Sequence, residues 1–290
     1  MQAFGNSYSN PPLQQIVPIF FGGGTRLSTH IGIIQALQDQ NIDFKTLVGV
    51  SGGAVVAAMY ASGRSIEDMF LLAKETDFTM FRENSLWRLM TQGGLGSGDV
   101  FEQWMDKQLK GMTFANLKYD LHIVATDVAN SQLVIFNKTN TPDIKVSQAV
   151  RYSMSIPLVF TFKEFENHIL VDGAILSEDA LFRDWQGDAT PSVCFRLQGT
   201  SEDKTPIMKK WIKLPTFVSM LIQTFMDAVS REYVHQAYWN RTIVVNTKSL
   251  SAVNFGFTPV EKTQLFNLGR ETVNRFLPSK LRQPAALYNH

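Results

Sequence analysis

A single cysteine, Cys194, leaves this 290-residue chain no partner for an intramolecular disulfide and no thiolate cluster for a metal. Histidine is scarce too. His30, His122, His168, His235 and His290 are scattered, none at metal-ligand spacing with another histidine or a carboxylate, so no metal and no other cofactor is expected. Neither sign of charge dominates, with 27 Lys and Arg against 26 Asp and Glu, so no overall field would hold a nucleic acid or an anionic membrane. No apolar run reaches the roughly 18 to 20 residues that span a bilayer. The first ten residues lack the basic start, apolar centre and cleavage site of a secretory signal. The expectation is a cytoplasmic protein whose membrane contact, if any, is peripheral, with nucleic acid excluded as a partner.

What is present is ample core material, 44% apolar residues against 18% charged, and no repeat, low-complexity tract or clear boundary, so residues 1–290 read as one domain. Ile16–Phe21 is a strand-type apolar run ending at three glycines, after which Ser28 or Thr29 opens a helix with Ile31, Ile34 and Leu37 at helical spacing. Phe44–Val50 repeats the pattern, ending at Ser51 before an alanine-rich helix that stops at Gly63. Two strand-to-helix units in succession predict a three-layer α/β/α fold with a mainly parallel central sheet. Ser65–Asp68 resembles a capping box for a third helix. Residues 77–98 are irregular and rich in large apolar groups, a secondary core or an acyl-chain wall in equal measure. Further on come a helix from Asp99 to Leu109, paired strands at Leu121–Thr126 and Gln132–Phe136, a helix at Ser147–Ser153, and a strand at His168–Val171 that delivers Asp172 to its carboxyl end. Cys194 lies in an alternating run read as a buried strand. A long helix over Pro215–Trp239, a strand at Arg241–Asn246 and a helix from Pro259 to Leu277 complete the chain. Lys209, Lys210 and Lys213, interleaved with Trp211, Ile212 and Leu214, read as the solvated entrance to a core helix or, alternatively, as a face against anionic lipid.

Three short motifs carry the chemistry. Gly49-Val-Ser51-Gly-Gly53 is a Gly-x-Ser-x-Gly sequence between strand and helix, where a serine projects from a tight turn and the helix start favours developing negative charge. Gly22, Gly23, Gly24, Thr25 and Arg26 form a loop whose backbone N–H groups suit an oxyanion. Leu27 follows them, which breaks both the Walker pattern and the dinucleotide fingerprint. Asp172-Gly173-Ala174 follows an apolar strand. Alone it reads as an ordinary turn, yet a carboxylate held there has the chemistry to take the proton of a serine within reach.

In this order the motifs resemble the patatin-like phospholipase family, as do His30–Leu37, Gly96-Ser-Gly-Asp99, Val124-Ala-Thr-Asp127 and Ser153-Met-Ser-Ile-Pro157. The resemblance spans about residues 16–197, with 198–290 expected as an extension packed on it. It implies a lipid acyl hydrolase acting on phospholipid or other lipid esters. Ser51 would be the nucleophile and Asp172 its base in a Ser-Asp dyad, and Gly22 to Thr25 would supply oxyanion N–H groups, with Arg26 at the loop's basic position. The family usually has glycine where this chain has Leu27, a difference that bears on the loop and the substrate entrance. A Ser-His-Asp carboxylesterase would instead nominate His235 by chain order, although its helical surroundings favour a structural histidine, and His30 beside the glycine loop reads as structural too. A catalytically weak scaffold is the remaining alternative, against which the survival of both Ser51 and Asp172 argues.

Overall fold

The computed structural model describes residues 15–176, 179–199, 217, 220, 221, 224 and 236–282. In chain order its first elements are β1 (Val17–Phe21), α1 (Leu27–Asp39), β2 (Thr46–Val50), α2 (Gly52–Ala61) and α3 (Ile66–Glu75). Then come α4 (Leu86–Gln92), β3 (Gly94–Gly96), α5 (Asp99–Leu109), β4 (Asp120–Asp127), β5 (Gln132–Phe136) and α6 (Val146–Ser153). The last are β6 (Leu158–Phe160), β7 (Lys163–Phe165), β8 (His168–Asp172), β9 (Ser192–Gln198), β10 (Thr242–Asn246) and α7 (Pro259–Leu281).

The fold is α/β with a mostly parallel central sheet. Its order is β10-β9-β1-β2-β4-β8-β7, with β5 pairing β4 off this path. The first four of these pairings, from β10 to β4, are parallel. Such strands are buried on both faces, which is why β1 and β2 are continuous apolar runs rather than alternating ones. On one face Phe20, Leu47, Ile123 and Phe195 meet α1, α2, α6 and α7. On the other, Val17, Ile19, Val48, Val50 and Cys194 meet Ala174, Leu181 and Trp185 from the segment after β8.

Helix starts follow local chemistry in part. Ser65 accepts the Asp68 N–H at the start of α3, and Thr258 with Glu261 forms a reciprocal capping box at α7. The start of α1 differs from expectation: the helix begins at Leu27 behind Arg26, without a side-chain cap, and Ser28 and Thr29 lie buried inside its first turn. Residues 77–98 divide. Phe78 and Phe81 are buried, Phe81 against Phe101 and Trp104, whereas Trp87 and Met90 on α4 stand in solvent.

The C-terminal segment is built into the same packing. Helix α7 crosses α1 so closely that a Cβ on Gly32 would collide with Phe266 O and one on Gly269 with Thr29 O. His235, His290 and the lysine-aromatic stretch 209–214 lie outside the described residues. Of the expected helix over 215–239, positions 217, 220, 221 and 224 are helical, with Phe217, Met220 and Leu221 exposed rather than in the core. Among the described residues no helix is long and apolar enough to cross a membrane.

Candidate active site

The strand that carries Asp172 does not belong to the parallel set. Strand β4 pairs β2 in parallel through Val50↔Val124 and then pairs β8 antiparallel from Ala125↔Asp172 onward. Because β5 takes residues 123–127 on the opposite edge, β2 and β8 share one edge of β4 and meet head-on. Their two carboxyl ends converge there, although the strands run in opposite directions.

Ser51 stands at this fork with φ 56° and ψ −130°, a strained backbone for a residue with a side chain. The strain is held by close packing behind it: a Cβ on Gly53 would strike Phe20 O, so α2 can lie against β1 only with glycine there. Ser51 Oγ donates to Asp172 Oδ2 at 2.6 Å. Asp172 Oδ1 accepts the Ala174 N–H at 2.9 Å across the turn through Gly173, whose missing Cβ leaves room for Val124 O. Burial pushes the Asp172 carboxyl up to about 6, with the hydrogen bonds from Ser51 and Ala174 pulling the other way.

Residues 151–155 bracket both partners. Ser153 Oγ accepts the Ser51 N–H at 2.9 Å and donates to Val124 O at 2.6 Å, while Ser155 O accepts the Asp172 N–H at 3.0 Å. Buried Arg151 holds Ser155 Oγ, Thr161 O and Ser97 O, tying the β3-β6 pair to α6. Its guanidinium fills the space where Gly98 would carry a Cβ, which accounts for the second glycine of Gly96-Ser-Gly-Asp99. Met154 Sδ lies 4.0 Å from Ser51 Oγ. Ser51 itself is 0% exposed. Ser153 to Ser155 were visible in the sequence as part of a motif but without a role, and Arg151 only as a helix position.

The glycine loop wraps against the elbow, with Gly52 next to Gly22 O and to the backbone of Gly24. Gly22, Gly23 and Gly24 have φ of +66°, +104° and +53°, the left-handed region that glycine enters without strain. Two of the four expected oxyanion donors are committed elsewhere. The Gly22 N–H donates to Val50 O at 3.0 Å, extending the β1-β2 ladder, and the Thr25 N–H donates to Ala252 O at 2.9 Å. Those of Gly23 and Gly24 make no hydrogen bond among the described residues. Arg26 is buried behind the loop, its Nε on Gly23 O at 3.0 Å and its Nη1 on Thr247 Oγ1 at 2.6 Å, so it faces the scaffold rather than a substrate. Leu27 is buried in the main core with Phe20 and Ile31. Thr25 Oγ1 bonds Ala252 O and Asn254 O, so the loop leans on a C-terminal segment that carried no motif.

The described histidines are occupied elsewhere. His122 bonds Asp120 and Asn137, His168 bonds buried Asp127, and His30 bonds Gly22 O. No group of three metal-ligating side chains gathers among the described residues.

The chain is similar to protein R571 of Acanthamoeba polyphaga mimivirus, 27% identical over 271 residues covering 88% of this chain and 91% of that protein. It is also similar to YqhO of Bacillus subtilis (strain 168), 26% identical over 288 residues covering 89% and 97%. Its fold is similar to the crystal structure of VipD from Legionella pneumophila, with a TM-score of 0.64 at 17% identity, covering 91% of this chain and 67% of that one. The sequence profile described as patatin-like phospholipase matches residues 19–181, more than half of the chain, and the chain therefore belongs to the patatin-like phospholipase family.

Proposed function

We propose that this protein hydrolyses lipid esters, glycerophospholipids or lysophospholipids foremost, through a Ser51-Asp172 dyad and an acyl-enzyme. The observation that carries the reading is the 2.6 Å hydrogen bond from Ser51 Oγ to Asp172 Oδ2 inside a buried fork. An imidazole would have to stand between two groups already in contact, which favours the dyad over a Ser-His-Asp triad. A carboxylate whose pKa is lifted toward 6 is a stronger base than an ordinary one and is still ionised at neutral pH.

In this mechanism Asp172 takes the Ser51 proton as Oγ bonds to the ester carbonyl carbon. The N–H groups of Gly23 and Gly24 and the N-terminus of α2 receive the carbonyl oxygen as it becomes an anion. The tetrahedral species collapses, the Asp172 proton leaves with the alcohol, and the acyl group stays on Ser51. Water then adds with Asp172 again as base, and the fatty acid departs as Ser51 recovers its proton. No cofactor enters these steps. The reading treats the chain as one domain, supported by the hold of residues 247–254 on the glycine loop. Exposed Trp87, Met90 and Phe162 support peripheral contact with a lipid surface.

The test is Ser51→Ala in purified, folded protein, with products from a mixed phospholipid and acylglycerol panel read by mass spectrometry. Fatty acid release should vanish and fluorophosphonate labelling of Ser51 with it. Release at the wild-type rate would refute the assignment.

A further inference from the structure

His30 is fully buried on α1, packed edge-on against Phe20 with ring centroids 5.7 Å apart. Its Nε2 lies 3.0 Å from Gly22 O. A carbonyl only accepts, so Nε2 carries the proton, and the other ring nitrogen is buried without a partner. Burial depresses its pKa to about 4, which leaves the ring neutral across the working range of a hydrolase.

The Gly22 carbonyl matters because of what lies across its peptide bond. In a trans peptide the C=O and the following N–H point in opposite directions from a rigid plane. Holding Gly22 O toward His30 therefore turns the Gly23 N–H away from α1. The next peptide is held in the same manner: Gly23 O accepts Arg26 Nε at 3.0 Å and the Arg26 backbone N–H at 3.0 Å, which turns the Gly24 N–H the other way. These are the two N–H groups of the loop that bond nothing among the described residues. Three consecutive glycines at positive φ have little rotational restraint of their own, so the aim of both donors must come from outside the loop.

We propose that His30 is a positioning residue of the oxyanion site, anchoring the Gly22–Gly23 peptide so that the Gly23 N–H is aimed at the reacting carbonyl, with Arg26 anchoring the Gly23–Gly24 peptide beside it. Arg26 is anchored in turn at Thr247 Oγ1, which reaches Gln198 O at 3.1 Å and so ties the loop to the ends of β9 and β10. Arg26 thus acts by direction rather than by charge, and His30 acts as a neutral donor rather than as an acid or base. This inference rests on the acyl-enzyme reading above.

The experiment compares His30→Gln, His30→Asn and His30→Leu, with Ser51→Ala as control, on a soluble ester at a temperature where melting curves show every variant folded. Gln places an amide N–H three bonds from Cβ, as Nε2 is, whereas Asn places it two bonds away, at the position of the other ring nitrogen. Removing an oxyanion donor costs about 10²- to 10³-fold in kcat, and misdirecting one should cost somewhat less. Asn and Leu should therefore lower kcat by roughly 10- to 100-fold with KM nearly unchanged, and Gln should recover most of the loss. Affinity for a trifluoromethyl ketone, whose adduct with Ser51 bears the oxyanion, should fall in parallel with kcat/KM. If Leu fails to fold, the contrast between Asn and Gln still decides. Equal activity of Asn and Gln, or a loss confined to KM, would overturn the positioning role while Ser51→Ala remained dead. An inactive wild type, or an active Ser51→Ala, would instead overturn the acyl-enzyme reading itself.

Discussion

Replacing buried Asp172, the proposed base, by its neutral isostere Asn should make the protein more stable while disabling it. Asp172 titrates near 6 in the fold against 3.8 as its ordinary value, with burial the largest cause. Because the folded pKa is raised, the native state favours the protonated carboxyl. The stability associated with that form is fully present below about pH 4 and is lost as pH rises through about 6. Two pKa units and a little more, at about 1.4 kcal/mol each, amount to roughly 3 kcal/mol carried as a penalty at neutral pH. Asn mimics the protonated acid: its carbonyl can keep the Ala174 N–H, and its amide can donate to Ser51 Oγ. Asp172→Asn should therefore gain about 3 kcal/mol near pH 8, roughly 5 to 10 °C in Tm, and the gain should shrink below about 1 kcal/mol near pH 4. Hydrolysis should fall at least about 10²-fold, the usual contribution of a general base. Paired urea melts of the two proteins across that pH range, with ester turnover alongside, measure both effects. A variant no more stable than wild type near pH 8, or a gain that does not depend on pH, would refute the argument that the fold pays for an ionised base here.

Other outcomes follow from the same geometry. With Asp172 as the proposed base, which must be ionised to act, kcat/KM should rise about tenfold per pH unit below about 6 and level off above it; a profile flat from pH 5 to about 7 would count against Asp172. His30, with its pKa near 4, should contribute no inflection above about pH 5. Ser153→Ala strands the buried Ser51 N–H, now held at 2.9 Å, and should cost about 1–3 kcal/mol together with a fall in kcat, both read from one purified variant by urea melt and turnover. Met154→Ala opens space 4.0 Å from Ser51 Oγ and should shift preference along a series of p-nitrophenyl esters of increasing chain length. An unchanged series would remove Met154 from the acyl path.

Much of the site was legible because its chemistry is local. Gly49 to Gly53 must turn a strand into a helix within five residues, and only small residues permit the approach of Gly53 to β1, so the turn is written in consecutive letters. The glycine loop is legible for the same reason, since positive φ at three successive positions demands glycine. The two strand-to-helix units in succession announced a parallel sheet, whose strands β1 and β2 are buried on both faces. Which loop N–H groups were open was not legible, because Gly22 and Thr25 are occupied by Val50 O and Ala252 O, one in the next strand and the other over two hundred residues away. Arg26 sits at the loop's basic position in the sequence, and only its burial against Gly23 O and Thr247 shows where it points. Leu27, a departure from the family pattern, is turned into the core by the helix start, a placement that depends on the packing of α1 and not on the loop's own residues.

The sequence by itself determined the elements, the order of the motifs and the identity of the two side chains that meet. The tertiary structure decided that they meet, by running β8 antiparallel along the edge of β4 that β2 vacates after Val50. Residue patterns encode backbone conformation within a few positions. The register between strands separated by more than a hundred residues is settled only when the whole sheet packs, and that register sets the distance from Ser51 Oγ to Asp172 Oδ2.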